Sequence, residues 1–209
     1  MAHFFNISLH RSATQSAHDL FRRSGVSAVH WPAVVDGIDY EAKVAGREDD
    51  PDFVAETLAP VFRAYSAVGD APLAALHGPL SATHPAAKFF AFYRPAGAWV
   101  RSVRRHVQSR PFTPFERVVY WSYFTWQPPE LSDISDAELG DFHAWHHDRI
   151  ATHFRSCDNF LLLSLEGNGL GPRLCAFCGL RPLPLRVVDY AMGHDLSLDP
   201  ADLEAEVCE

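Results

Sequence analysis

Apolar positions recur along this chain in two periods, one of strands and one of helices. Residues 3–9 (HFFNISL) are a short apolar run rich in β-formers. Residues 17–23 (AHDLFRR) have helical spacing, with Gly25 as the stop. The small, polar, basic stretch 10–16 (HRSATQS) makes a tight turn between them. Residues 27–35 hold a second short strand broken by Pro32. Residues 36–51 are polar, and the charge run 47–52 (REDDPD) reads as a solvated loop. Helical spacing returns over 53–65, interrupted by Pro60, and over 71–83. Residues 88–93 (KFFAFY) are the clearest strand, apolar throughout as a strand buried on both faces should be. A helix over 96–107 follows, with Trp99, Val100, Val103 and Val107 on one stripe, then an aromatic helix over 115–126. Ser135 caps a long helix over 135–154, and Glu138 completes its capping box. Residues 160–165 (FLLLSL) are a last buried strand, and 170–178 a short helix ended by Gly179. Beyond Pro184 the chain reads as loop, with a final helix over 201–207.

Such alternation predicts an α/β fold, a parallel β-sheet flanked by helices on both faces. The 209 residues contain no repeat, low-complexity tract or linker, so one domain over residues 1–209 is expected. A net charge of −8 argues against a nucleic-acid partner but leaves room for a local basic site. No stretch reaches the roughly 18 apolar residues of a membrane span. The first nine residues have neither a basic leader nor a long apolar core, so they do not read as a signal peptide. Cys157, Cys175, Cys178 and Cys208 are few and irregularly spaced, which points to free thiols and a cytoplasmic location.

Ligands of open α/β sheets bind at the carboxyl ends of the strands. The first such end leads into His10-Arg11-Ser12-Ala13-Thr14-Gln15-Ser16. A turn entering a helix presents backbone N–H groups and the positive dipole end to an anion. Ser12, Thr14 and Ser16 add hydroxyls, and Arg11 a planar fork suited to phosphate or sulfate. A polar loop with a helix cap is the alternative reading. No Gly-Lys-Ser/Thr is present, so this is not the usual ATP loop. The second strand end carries Arg94, with Ser102 eight residues on. Arg94 reads either as an anion ligand or as half of a salt bridge. His143 and His147 stand four apart on one helix, but no Glu completes a His-Glu-x-x-His set and Cys175-x-x-Cys178 is a single pair. No metal is expected there; surface or capping histidines are. Phe115, Tyr120, Trp121, Tyr123, Phe124 and Trp126 either pack the core or line a cleft.

Together these segments resemble the sulfotransferases that use 3′-phosphoadenosine 5′-phosphosulfate (PAPS), especially the small bacterial branch. That family has a Pro-Arg/Lys-Ser-Gly-Thr-Thr loop after its first strand, matched here by residues 10–15. Its later strand ends in Arg with Ser eight residues on. In residues 88–103, Lys88, Phe89, Arg94, Trp99, Ser102 and Val103 match the bacterial pattern in register. Residues 146–154, 160–165 and 174–180 also resemble that branch, so the likeness spans most of residues 3–186. Ala13 stands where the family has Gly, Gln15 where it has Thr, and Pro95 where it has Asp. Ser8-Leu9-His10 replaces Gly-x-Pro, and Gly167-Asn168-Gly169-Leu170-Gly171 stands where Gly-Asp-Gly-Trp is frequent.

The resemblance implies a P-loop-type sheet and sulfuryl transfer from PAPS to an acceptor hydroxyl or amine, leaving 3′-phosphoadenosine 5′-phosphate (PAP). Arg11, Ser12, Ala13, Thr14, Gln15 and Ser16 would hold the phosphosulfate, with Arg94 and Ser102 on the 3′-phosphate. Arg11 would also stabilise charge on the leaving phosphate. The acceptor would be a small molecule, carbohydrate or lipid. Asp70, in Asp70-Ala71-Pro72, is the first candidate for general base and His30 the second; a helix N-cap is the alternative for Asp70. Trp31 stacks on a ligand ring or packs the core. Two other functions stand beside this one. A kinase-like transferase is disfavoured because no Lys follows the loop and no strand is expected to end in a magnesium-binding Asp. A scaffold that kept the fold without the chemistry is favoured by Ala13 and the missing Asp.

Overall fold

A computed structural model describes residues 3–107 and 110–187. The helix expected over 201–207, and Cys208, lie outside the described residues. The strands are β1 (Phe4–Asn6), β2 (Ala28–His30), β3 (Val34–Val35), β4 (Ile38–Asp39), β5 (Ala67–Gly69), β6 (Lys88–Tyr93) and β7 (Phe160–Ser164). Five of them form one parallel sheet in the order β2-β5-β1-β6-β7, while β3 and β4 pair as a separate hairpin. Phe4 lies beside Ala67 on one side and Lys88 on the other, so β1 is central.

The helices are α1 (Thr14–Arg23), α2 (Tyr40–Val44), α3 (Pro51–Thr57), α4 (Ala59–Ala64), α5 (His77–Thr83), α6 (Ala96–His106), α7 (Pro114–Trp121), α8 (Asp136–His153) and α9 (Leu170–Cys178). Alternate residues of each strand point to opposite faces. Phe5, Val68, Phe89 and Ala91 join a core shared with α3 to α8. Phe4, Ala67, Phe90, Phe92 and Leu163 join a second core shared with α1 and α9. The sheet is thus covered on both faces, as the alternating pattern requires. The chain leaves β1 toward one edge and β6 toward the other. Their adjacent carboxyl ends therefore flank a topological switch point, where such sheets open a crevice.

Several elements differ from expectation. β1 stops at Asn6, because Asn6 Oδ1 accepts the Ser8 N–H and hydroxyl and turns the chain early. Strand β5 lies between the helices expected over 53–65 and 71–83, where no strand was expected. Residues 71–83 are a cis Ala71–Pro72 bond, a 3₁₀ turn at Leu73–Ala75 and then α5, not one helix. Asp70 has φ 74° and follows a strand, so it caps no helix at that point. The polar stretch 36–51 contains α2, whose Tyr40 and Val44 are buried and whose N-cap Asp39 accepts the Ala42 N–H at 2.9 Å. The charge run contributes Asp50 as N-cap of α3. α7 ends at Trp121 rather than 126. Ser135 and Glu138 do form a capping box.

His143 and His147 are neither surface nor capping groups. They lie buried where α8 crosses the end of β6, both against Tyr93 and His143 also against Trp99, while the buried His146 meets the Ile7 carbonyl at 3.2 Å. Burial lowers all three pKa values, His147 to about 3, so they pack as neutral aromatic rings. Phe115, Tyr120 and Phe124 are buried, Trp121 and Tyr123 pack at the core edge, and Trp126 is exposed.

Candidate functional site

The segment after β1 is held by the β6–α6 unit at four points. The Phe92 N–H donates to Ser8 Oγ at 2.8 Å, and the Trp99 indole to the His10 carbonyl at 2.9 Å. The Arg94 guanidinium donates to the Arg11 carbonyl at 3.0 Å, and Arg11 Nε to Ser102 Oγ at 3.4 Å. Arg11, Arg94 and Ser102, far apart in sequence, therefore converge. Helix α1 opens directly from this loop. Its N-cap is Ala13, with no side-chain cap, so the helix start presents N–H groups that no capping side chain takes. Ser12 Oγ is buried without a partner.

Ala13 is left-handed, with φ 56°, and Arg11 has φ 64°. Trp31 and Asp70, both on the cleft wall, are also left-handed, so among the described residues four of the six non-glycine residues with positive φ lie here. Such strain in non-glycine residues gathers at functional sites. Ala13→Gly removes it at one position. It should raise unfolding free energy by about 0.5–1 kcal/mol in urea titration, since the left-handed penalty of roughly 1–2 kcal/mol exceeds the extra chain entropy of glycine.

Charge in the crevice is unbalanced. Among the described residues, no carboxylate oxygen lies within 4.0 Å of Arg11, Arg94, Arg101 or Arg105; the ion pairs present involve other cations. The salt-bridge reading of Arg94 therefore fails. Burial and the charges of Arg11, Arg105 and Arg101 lower its pKa.

Asp70 and His30 end neighbouring strands, β5 and β2. His30 Nε2 is 2.6 Å from Asp70 Oδ2 and 3.0 Å from Thr14 Oγ1, and Thr14 donates to the same carboxylate oxygen at 3.0 Å. The Ala71 N–H donates to Asp70 Oδ1 at 2.8 Å. Burial pushes the Asp70 pKa up, but the bond and charge of His30, the charge of His10 and the Ala71 bond outweigh it and hold it at about 2. An ionised Asp70 only accepts, so His30 Nε2 carries a proton and Nδ1 is the basic nitrogen.

These groups line a cleft of about 1480 Å³. Arg105, His106, Arg110 and Glu116 extend its wall, with Arg110 and Glu116 paired at 2.7 and 2.8 Å. The strap at 182–187 closes the opposite side, held by Arg23 Nη2 on the Pro184 carbonyl at 2.8 Å and by close contact with Gly171. Arg105, His106, Glu116 and the strap carry no local sequence signal; only their meeting at the cleft marks them. Gln15 and Ser16 also line it, and Trp31 does so while packing against the core.

The family model for the sulfotransferase domain matches residues 4–181. The chain belongs to this family. Among solved structures, a sulfotransferase from Alicyclobacillus acidocaldarius is similar at TM-score 0.50 and 13% identity, over 99% of this chain and 90% of that one. Shikimate kinase from Bacteroides thetaiotaomicron is similar at TM-score 0.52 and 14% identity, over 80% of this chain and 90% of that one. At such identities both show the fold alone, and it is the P-loop-type α/β fold expected. No curated protein matches the sequence. In this sulfotransferase domain a strand does end in an Asp, since β5 runs into Asp70, but the missing Lys after the loop still counts against a kinase-like reading. No described helix is long and apolar enough to cross a membrane.

Proposed function

We propose that this sulfotransferase domain moves a sulfuryl group from PAPS to an acceptor hydroxyl or amine on a small molecule, carbohydrate or lipid. The observation that carries this reading is the convergence of Arg11, Arg94 and Ser102 on one loop, in a cleft where, among the described residues, Arg11, Arg94 and Arg105 have no carboxylate partner. The unpaired cations fit a donor with phosphates at two positions. Arg94 and Ser102 take the 3′-phosphate; Ser12, Ala13, Thr14, Gln15, Ser16 and Arg11 take the phosphosulfate. The acceptor heteroatom attacks sulfur as the bond from sulfur to the 5′-phosphate oxygen breaks. PAP leaves with its new charge on Arg11, and the acceptor proton goes to His30 Nδ1. Asp70, held near pKa 2, is too weak a base to take that proton itself; it orients His30 and stabilises the imidazolium.

One domain would carry the whole reaction. Free Cys157, Cys175 and Cys178 support a cytoplasmic setting, with burial pushing the Cys178 thiol up to about 12. Calorimetry with PAP, AMP and ATP tests the donor. PAP should bind at least about tenfold more tightly than AMP, a difference of roughly 1.4 kcal/mol from the 3′-phosphate. Equal affinities would remove PAPS as donor, and no binding by folded protein would favour a scaffold.

A further inference from the structure

Thr14, Asp70 and His30 form a triangle that the transfer reaction alone does not explain. Thr14 is the first residue of the helix that leaves the anion loop, and Asp70 ends the strand beside β1. In P-loop nucleotide enzymes a loop Ser/Thr hydroxyl and a strand-end Asp hold the magnesium ion that bridges the phosphates. The oxygens here are 3.0 Å apart. Two neighbouring ligands of an octahedral ion with metal–oxygen bonds of about 2.1 Å are separated by about 3.0 Å. The position such an ion would take is filled by a side chain, since His30 Nε2 lies 2.6 Å from the Asp70 oxygen and 3.0 Å from the Thr14 oxygen.

The geometry points to His30 as a specificity residue that occupies a divalent-cation position between Thr14 and Asp70. While the imidazole is there, a magnesium-chelated nucleoside di- or triphosphate cannot bring its ion to the loop. A metal-free anion needs only the N–H groups, hydroxyls and arginines of the loop. The fold thus retains the two oxygens of a metal site, and one histidine closes it against nucleotides that arrive as metal complexes. This rests on the triangle and the P-loop topology, not on PAPS being the donor, so it stands or falls separately from that reading.

The test is Mn2+ binding, followed by electron paramagnetic resonance, with and without ADP or pyrophosphate. Wild type should take up Mn2+ weakly and without dependence on either anion. His30→Ala should bind at least about tenfold more tightly when ADP or pyrophosphate is present, a change of roughly 1.4 kcal/mol. Adding Asp70→Asn to that variant should abolish the gain. If His30→Ala does not fold, His30→Ser opens the same space with a small polar side chain. Wild-type binding equal to the variant's, no gain in a folded variant, or a gain that survives Asp70→Asn would each overturn the assignment.

Discussion

Arg94→Ala should abolish the preference for PAP over AMP while leaving the protein folded. Among the described residues, Arg94 is the one cation that both follows a central strand and holds the loop after β1, through the Arg11 carbonyl. A guanidinium facing a phosphate makes two charge-assisted bonds, and their loss costs about 3 kcal/mol, or roughly 100-fold in affinity. AMP lacks the 3′-phosphate, so its binding should change far less. The fold should tolerate the change because Arg94 is pressed by Arg11, Arg105 and Arg101. Relief of that repulsion offsets the lost bond to Arg11. Arg94→Lys should fall between, keeping charge but losing the planar fork. Calorimetry on the three proteins reads the result; an unchanged PAP-to-AMP ratio in Arg94→Ala would place the 3′-phosphate elsewhere.

Gly171→Ala should release the strap that closes the cleft. A Cβ built there would lie 2.3 Å from the Leu183 oxygen and the Leu185 nitrogen, and 2.7 Å from the Pro184 carbonyl carbon. All three are backbone atoms, so no rotamer change relieves the clash and 183–185 must move. Leu183 and Leu185 would then leave the core under α1 and α9. Overpacking of this kind costs about 1–3 kcal/mol, seen as a lower urea midpoint. Trypsin should cut sooner after Arg186, whereas the Arg181–Pro182 bond resists it in any state, and nucleotide affinity should fall with the cleft wall. Arg23→Ala, which loses the bond to Pro184 together with the i,i+4 ion pair to Asp19, should show the same changes at smaller size. Unaltered stability and proteolysis in Gly171→Ala would mean that the strap is not seated on α9.

Legibility followed how much of each element's reason was local. β6 has six residues, nearly all apolar, and α8 carries its own capping box, so both were read close to their bounds. β5 is Ala67-Val68-Gly69, with one β-former, and is a strand because β1 and β2 bond to it on either side. Missing it hid Asp70 as a strand-end residue, though the Asp itself was singled out. The β3–β4 hairpin did have a local mark. Asp36 and Gly37, both at positive φ, are a favoured two-residue turn, hidden by the polar stretch around them. In the site, the loop and Arg94 were visible because their residue types announce anion binding. The His30–Asp70–Thr14 triangle was not, since it depends on the order of strands in the sheet. The histidines of α8 were misread because polarity suggests a surface, whereas a neutral imidazole packs as a small ring.

The four bonds from Phe92, Arg94, Trp99 and Ser102 to the segment after β1 bear on any attempt to transplant this site. A designer who moved residues 7–16 onto another parallel sheet would carry the sequence of the loop without its mould. The left-handed turns at Arg11 and Ala13 would relax, and the backbone would lose the curl they give it. The smallest portable unit joins β1 and α1 to β6 and α6, two pieces separated by more than sixty residues of chain.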